Sequence, residues 1–227
     1  GFSNLNQRLL KYFSLKNLLN KILNLNSTFE HSVRITNEDN KKQMDQKDII
    51  NIVNQCREGD SSSFRLIVEE YQYMIYQLAF RMLCNEDEAK DIVQETFIRA
   101  WQNLSKYRPE IRMSTWLYTI ATNRCIDRLR HKRNENASAD MHELLKYFTS
   151  NENIEQHLIN SEQAQLVLNL TRQLTPKQKA VFTLHYLEEL DTEEIQKITG
   201  LSAEKIKSNL YLARKSIRQK LELLDHE

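Results

Sequence analysis

The chain has 227 residues, 40% of them hydrophobic and 28% charged, which suits one or two modest helical domains. Only three Gly and two Pro occur, which disfavours Gly-rich phosphate loops, dinucleotide-binding turns and hairpin-dense β folds, and the composition reads as all-α. The net charge of +1 hides a strong segregation of charge along the chain, and no apolar run approaches the roughly 20 residues that a bilayer span needs.

Residues 1–43 stand apart. Leu5, Leu9, Tyr12, Phe13, Leu19, Ile22 and Leu23 recur at helical spacing beside Arg8, Lys11, Lys16 and Lys21, with no acid before Glu30. A basic amphipathic helix of this kind can bind a membrane surface or a partner, or simply be a loosely docked extension. The chain begins with Gly, and Met44 opens a clean helix that would suit a natural start.

From Asp45 the helices become legible. Asp45 caps a first helix carrying Ile49, Ile50 and Val53, which Gly59-Asp60-Ser61 breaks. Ser62 or Ser63 starts a second, with Phe64, Ile67, Val68, Tyr71, Ile75, Leu78 and Ala79 inward. Asn85 with Glu88 has the form of a capping box for a third, carrying Ala89, Ile92, Val93, Phe97, Ala100 and Trp101. A polar turn from Ser105 to Arg112 leads to a fourth helix, capped by Ser114 and running to about Arg133. Short connections make these four one bundle. Residues 134–160 lose the periodic hydrophobes and read as an acidic linker, with six acids from Glu135 to Glu162 against Lys146.

A second helical unit begins near Ser161 with the stripe Leu166, Leu170 and Leu174. Thr175-Pro176 is a helix start, with Pro where its missing N–H is harmless. Asp191-Thr-Glu-Glu194 opens a short helix that stops at Gly200, and Ser202 caps a last helix to about Leu224. This spacing is that of a helix-turn-helix. In the last helix Ile206, Leu210, Ala213, Ile217 and Leu221 form one buried stripe. The other faces carry Lys205, Lys207, Ser208, Asn209, Tyr211, Arg214, Lys215 and Arg218. Six Lys and Arg face Glu204 alone between residues 203 and 220, a charge of +5. Such a helix can lie in the major groove, reading bases with its first turns while its cations neutralise phosphates. Leu212 leaves the stripe and is placed to touch a thymine methyl or solvent.

The fourth helix is the second basic element: Arg112, Arg124, Arg128, Arg130, Lys132 and Arg133 against Asp127, again +5. Thr119, Asn123, Asp127 and Arg130 share a face, and Tyr107, Trp116 and Tyr118 lie beside it, a pattern suited to tracking phosphates and stacking bases. Trp101 reads as core packing. The third helix is the opposite, with Glu86, Asp87, Glu88, Asp91 and Glu95 against Lys90, a charge of −4. An acidic face repels DNA and suits solvent or a basic protein partner. Folded back on the basic faces, the acidic helix and linker would weaken DNA binding by the isolated chain.

Cys56, Cys84 and Cys125 form no C-x-x-C pair and have no His at zinc-ligand spacing, so they read as small buried hydrophobes in a reducing cytoplasm. No paired carboxylates, Cys–His arrangement or metal constellation marks a catalytic site. The expectation is a protein that is not an enzyme, takes no cofactor and has no small-molecule substrate.

Four runs together resemble the bacterial sigma-70 family. Asp91-Ile-Val-Gln-Glu-Thr-Phe-Ile-Arg-Ala-Trp101 looks like region 2.2, and Ser114-Thr-Trp-Leu-Tyr-Thr-Ile-Ala-Thr-Asn-Arg124 like regions 2.3–2.4. Leu174-Thr-Pro-Lys-Gln-Lys-Ala-Val-Phe182 is similar to region 4.1, and Ile206-Lys-Ser-Asn-Leu-Tyr-Leu-Ala-Arg214 to the region 4.2 recognition helix. With no region 1.1 or 3, the layout resembles the extracytoplasmic-function group. The resemblance implies a region 2 bundle over 44–133, a linker over 134–160 and a region 4 helix-turn-helix over 161–227. It implies docking of core RNA polymerase, through its β′ clamp helices on Glu88, Asp91, Gln94 and Glu95 and through its β flap. It implies reading and melting of a −10 element by Trp116, Thr119, Asn123, Arg124, Arg128, Arg130 and Arg133, with the 106–115 turn holding a flipped base. A −35 element would be read by the last helix, and an anti-sigma factor would restrain the protein. This chain departs from the family at Gln196, where a small residue is usual, and at Asn209 and Leu212, where many relatives have Arg.

Overall fold

A computed structural model describes residues 44–138, 170–171 and 173–224. The 1–43 extension, most of the acidic linker, Leu166 and the side chain of Leu221 lie outside the described residues. The chain divides into two compact units. One gathers 1–41 with 153–172; the other gathers 42–152 with 173–227 and contains every helix considered below.

Among the described residues of that second unit there are seven α-helices and no strand: α1 (Gln46–Arg57), α2 (Phe64–Leu83), α3 (Glu86–Gln102), α4 (Met113–Ser138), α5 (Pro176–Tyr186), α6 (Thr192–Thr199) and α7 (Ala203–Leu224). Local chemistry sets their ends. Asp45 and Asp48 form a reciprocal capping box at α1, and Thr175 with Gln178 does the same at α5, where Pro176 fills the first turn. Asn85 accepts from the Glu88 amide at α3, and Asp191 from the Glu194 amide at α6, each satisfying one of the amides that a helix start leaves unpaired. Gly200 ends α6 with φ +67°, the left-handed conformation that a glycine adopts without a Cβ penalty.

Helix α2 starts where expected, with Ser63 at its N-cap position, although Ser61–Ser63 form a 3-10 turn tied by Asp60 and Ser63 makes no side-chain cap bond; the fourth helix differs at both ends. Helix α4 starts at Met113, which places Ser114 inside it, and runs to Ser138 rather than Arg133. No Gly or Pro lies between Arg133 and Ser138 to stop the helix earlier.

In the bundle, α2 packs on α3 and α4, α3 on α4, and α1 on α2. Ile67, Ile75, Leu78, Met82, Ile92, Met113 and Leu117 are fully buried between them. Trp101 departs from its expected core role: it is 41% exposed, with one face edge-on to Phe64 at 5.2 Å between ring centroids. It stands in the last turn of α3, one turn past the buried Phe97. In the C-terminal part α7 packs on α5 and α6, burying Ile206, Leu210, Ala213 and Ile217 against Val181, Phe182, Leu184 and Ile195. The helix-turn-helix does not stand alone, because α6 packs on α4 and α5 packs on both α2 and α4.

Candidate nucleic-acid interface

The last helix presents the expected surface. With its apolar stripe inward, Lys205, Lys207, Ser208, Tyr211, Lys215 and Arg218 are exposed. Among the described residues none of the cations of α7 up to Lys220 is in a salt bridge. Tyr211 is 60% exposed and Leu212 44%, two apolar surfaces in water beside the cations. Asn209 donates from Nδ2 to the Lys205 carbonyl at 2.7 Å, so its amide is turned toward its own helix. Arg214 is half-buried, and its Nε is buried with no hydrogen-bond partner among the described residues. Ser202 accepts from the Lys205 amide and fixes the first turn of α7, where a groove-reading helix presents its N-terminal residues.

The basic residues of α4 are disposed differently. Arg124 bonds Asp127, and Arg130 lies 3.5 Å from the same carboxylate. Arg128 lies 3.0 Å from Glu95, 3.9 Å from Asp91 and 4.0 Å from Glu88. Lys132 lies 2.6 Å from the other oxygen of Glu88. The acidic third helix thus does fold against basic residues of the fourth, and Arg128 and Glu88, assigned by resemblance to DNA and to polymerase, meet each other. Arg133 is exposed and in no ion pair among the described residues. Asn123 is exposed, while Thr119 donates its hydroxyl to the Thr115 carbonyl at 2.9 Å. On α3, Gln94 and Asp91 remain open to solvent, and Glu95 keeps a side-chain exposure of 41%.

The 106–115 turn is held by Gln46 and Arg57, which the sequence did not single out, and by Tyr107, whose burial takes it out of the base-stacking role the sequence suggested. Arg57 donates to the Leu104 and Tyr107 carbonyls at 3.1 and 2.7 Å. Gln46 donates to the Pro109 carbonyl at 3.0 Å, and the buried Tyr107 hydroxyl donates to the Ile111 carbonyl at 2.9 Å. Trp116 leans on the Tyr107 ring at 5.2 Å, half-buried rather than splayed out. Each bond fixes a carbonyl of an irregular segment, which makes the turn a rigid platform. Gln46 and Arg57, at the two ends of α1, gave no periodic signal; only the tertiary contact reveals them.

The cysteines fit the sequence reading. All three are free thiols, with Cys56 and Cys125 buried, and burial raises the thiol pKa of each above its ordinary value. Among the described residues no group of three or more His, Cys, Asp or Glu could hold a metal, and no helix is long and apolar enough to cross a membrane.

Known proteins align with this arrangement. The family model for sigma-70 region 2 matches residues 67–135, and that for sigma-70 region 4 matches 164–217. The ECF RNA polymerase sigma factor SigW of Bacillus subtilis is 33% identical over 176 residues, 74% of this chain and 94% of the relative. The ECF RNA polymerase sigma-E factor of Haemophilus influenzae is 29% identical over 180 residues, 76% of this chain and 95% of the relative. Among solved structures, CnrH in complex with the cytosolic domain of CnrY shares the fold at a TM-score of 0.55 and 21% identity, over 79% of this chain and 99% of that one. The sigma factor RpoE bound to the anti-sigma factor NepR from Bartonella quintana does so at 0.52 and 21%, over 70% of this chain and 96% of that one.

Proposed function

The chain belongs to the extracytoplasmic-function group of the sigma-70 family, whose members are RNA polymerase sigma factors of transcription initiation, and from that premise we propose how its surfaces divide the work. Residues 44–133 act as region 2, 134–160 as the linker and 161–227 as region 4. Helix α7 reads the −35 element through Lys205, Lys207, Ser208, Asn209, Tyr211, Arg214, Lys215 and Arg218. Helix α4 and the 106–115 turn read and open the −10 element through Trp116, Thr119, Asn123, Arg124, Arg130 and Arg133. Arg128 belongs to this set by resemblance, yet its bonds to Glu95, Asp91 and Glu88 make it the brace of the α3–α4 seam. The exposed carboxylate of Asp91, with Gln94 and Glu95, docks core polymerase, and Glu88 supports them through Lys132.

The observation that carries the reading is the α7 face, where cations in no ion pair among the described residues surround an exposed Tyr211 on a helix fixed by a left-handed Gly200 turn. The protein works without catalysis of its own, in the cytoplasm where polymerase and DNA are. An anti-sigma factor restrains it, by analogy with the solved RpoE–NepR complex.

Run-off transcription tests the reading, using core RNA polymerase and the region upstream of the gene, with and without the protein. A discrete start that depends on the protein is expected. Co-purification with core polymerase but no such start would overturn promoter recognition. A stand-alone DNA-binding regulator is distinguished by Asp91→Lys, which should cut core polymerase binding by roughly tenfold or more while leaving the isolated chain's DNA binding intact.

A further inference from the structure

Between the first bundle and the helix-turn-helix lies a buried polar cluster that none of the proposed DNA or polymerase contacts uses. Glu188, in the turn after α5, keeps 6% of its side-chain exposure. Arg81 of α2, at 13%, donates from Nη1 to Glu188 Oε1 at 2.9 Å and to the Leu187 carbonyl at 2.6 Å. The Tyr118 hydroxyl of α4 donates to Glu188 Oε2 at 2.8 Å. Burial and the Glu188 carboxylate both push the Tyr118 hydroxyl's pKa up, so it stays a donor. Both carboxylate oxygens are thus satisfied by two helices of the other part of the molecule. The turn itself is wound to present Glu188: Glu189 takes a left-handed φ of 57°, and the Glu188 and Leu190 amides donate back to the Thr183 and Leu184 carbonyls. A non-glycine residue held in that conformation is a local strain that the surrounding contacts must outweigh.

This contact lies beside the face assigned to the −10 element. Asn123, Asp127 and Arg130 line a crevice of about 90 Å³ whose opposite wall includes Lys177 of α5 and Thr199 and Leu201 of the helix-turn-helix. That space holds a few waters, not a nucleotide. Nearer the start of the same face of α4, a gap of about 410 Å³ separates Ile111 and Arg112 of the base-holding turn from Glu193 and Glu194, with Arg112 4.0 Å from Glu194. Carboxylates facing that turn repel the phosphates it would meet.

We propose that Glu188, clasped by Arg81 and Tyr118, is a latch that holds the helix-turn-helix over the −10-reading face of α4, so that this face reads DNA only after the clasp opens. The proposal rests on the assignment of α4 to the −10 element. The closed state also contains an opposing element. Lys179 of α5 is 5% exposed and has no carboxylate partner among the described residues, near Cys84 and Cys125 of the bundle. Burial lowers its pKa, because a desolvated ammonium is disfavoured. Opening would return that cation to water. The latch and the buried lysine therefore pull the equilibrium in opposite directions, and variants of each should move it in opposite senses.

The test uses the full chain without polymerase and a single-stranded oligonucleotide carrying the −10 sequence mapped by run-off transcription. Anisotropy reports binding, and small-angle scattering reports the radius of gyration. Arg81→Met and Glu188→Gln should raise affinity roughly tenfold and enlarge the particle, since breaking a buried hydrogen-bonded pair shifts the closed–open equilibrium strongly. Tyr118→Phe should raise affinity about threefold, the worth of one net hydrogen bond. Lys179→Met keeps the volume, removes the charge and should lower affinity. Folded variants, checked by circular dichroism, with unchanged affinity would overturn the latch, as would a larger particle with no gain in binding. If Arg81→Met and Glu188→Gln fail to fold, unchanged affinity in both Tyr118→Phe and Lys179→Met overturns it alone. Failure of the −10 assignment is separately visible, as polymerase-dependent starts insensitive to the −10 sequence.

Discussion

On α4, Arg124 and Arg130 share Asp127, while Arg128 and Lys132 reach Glu88, Asp91 and Glu95 on α3; on α7, no Lys or Arg up to Lys220 is in an ion pair among the described residues. The segments 112–133 and 203–220, which hold these cations, each carry a formal +5 in the sequence. The difference lies in what each packs against. Helix α4 lies along an acidic neighbour in a bundle, and part of its charge serves the seam. Helix α7 packs on α5 and α6 through an apolar stripe, leaving its basic faces in water. Formal charge along a helix therefore does not measure its capacity to bind phosphate; the charge left after intramolecular pairing does.

The largest effect is expected where α7 is anchored. Ile206 is fully buried, and Ile206→Ala should cost about 2–5 kcal/mol in urea denaturation, through lost burial and a residual cavity. A loss under about 1 kcal/mol would mean that the stripe does not hold the helix and that the contrast with α4 has another origin.

A matched pair of charge reversals tests the contrast directly. Arg128→Glu places a carboxylate among three others, turning attraction into repulsion, and should destabilise by on the order of 2 kcal/mol. Arg218→Glu on the exposed face of α7 should change stability by less than about 0.5 kcal/mol while weakening DNA binding. Equal destabilisation by the two would erase the distinction.

Much of this was legible in the sequence. Caps at Asp45, Asn85, Thr175 and Asp191, the stop at Gly200 and the stripe of α7 are local signals, and all recur in the structure. The basic and acidic faces were also visible, as was their capacity to fold together. The specific pairing of Arg128 and Lys132 with α3 was not, because a sequence gives each helix's charge but not the rotation at which two helices meet. Gln46 and Arg57 escaped for the same reason, their partners lying 47 to 63 residues away. So did Arg81 and Glu188, while Tyr118, which the sequence offered as a base-stacking aromatic, is instead buried with its hydroxyl on Glu188, a placement that only tertiary packing decides.

The turn that aims α7 is a smaller lever. A Cβ on Gly200 would meet nothing within 4 Å, so Gly200→Ala tests the backbone alone. At φ +67° an alanine is strained, and a loss of about 1 kcal/mol is expected. A neutral result would show that the turn between α6 and α7 can relax, and that the exposed face of α7 is aimed by its buried stripe alone.

The smallest expected effect separates the two basic helices most cleanly. A cation that neutralises a phosphate releases condensed counterions, so each such contact adds about 0.9 to the slope of log affinity against log salt. Lys207 is exposed and in no ion pair among the described residues, so Lys207→Ala should reduce the slope for −35 duplex DNA by about 0.9. Across a fourfold change in salt that is roughly a threefold difference in affinity. Arg128→Ala should leave the slope unchanged for the holoenzyme on a promoter, because its guanidinium is already engaged by Glu95, 3.0 Å away. Its effect should fall on thermal stability instead, by about 1 kcal/mol or less, given the screening of a pair on a partly exposed seam. A slope that falls equally for both would mean that the α3 carboxylates release Arg128 when DNA arrives. Arg128 would then be a phosphate ligand shared between two states rather than a fixed brace.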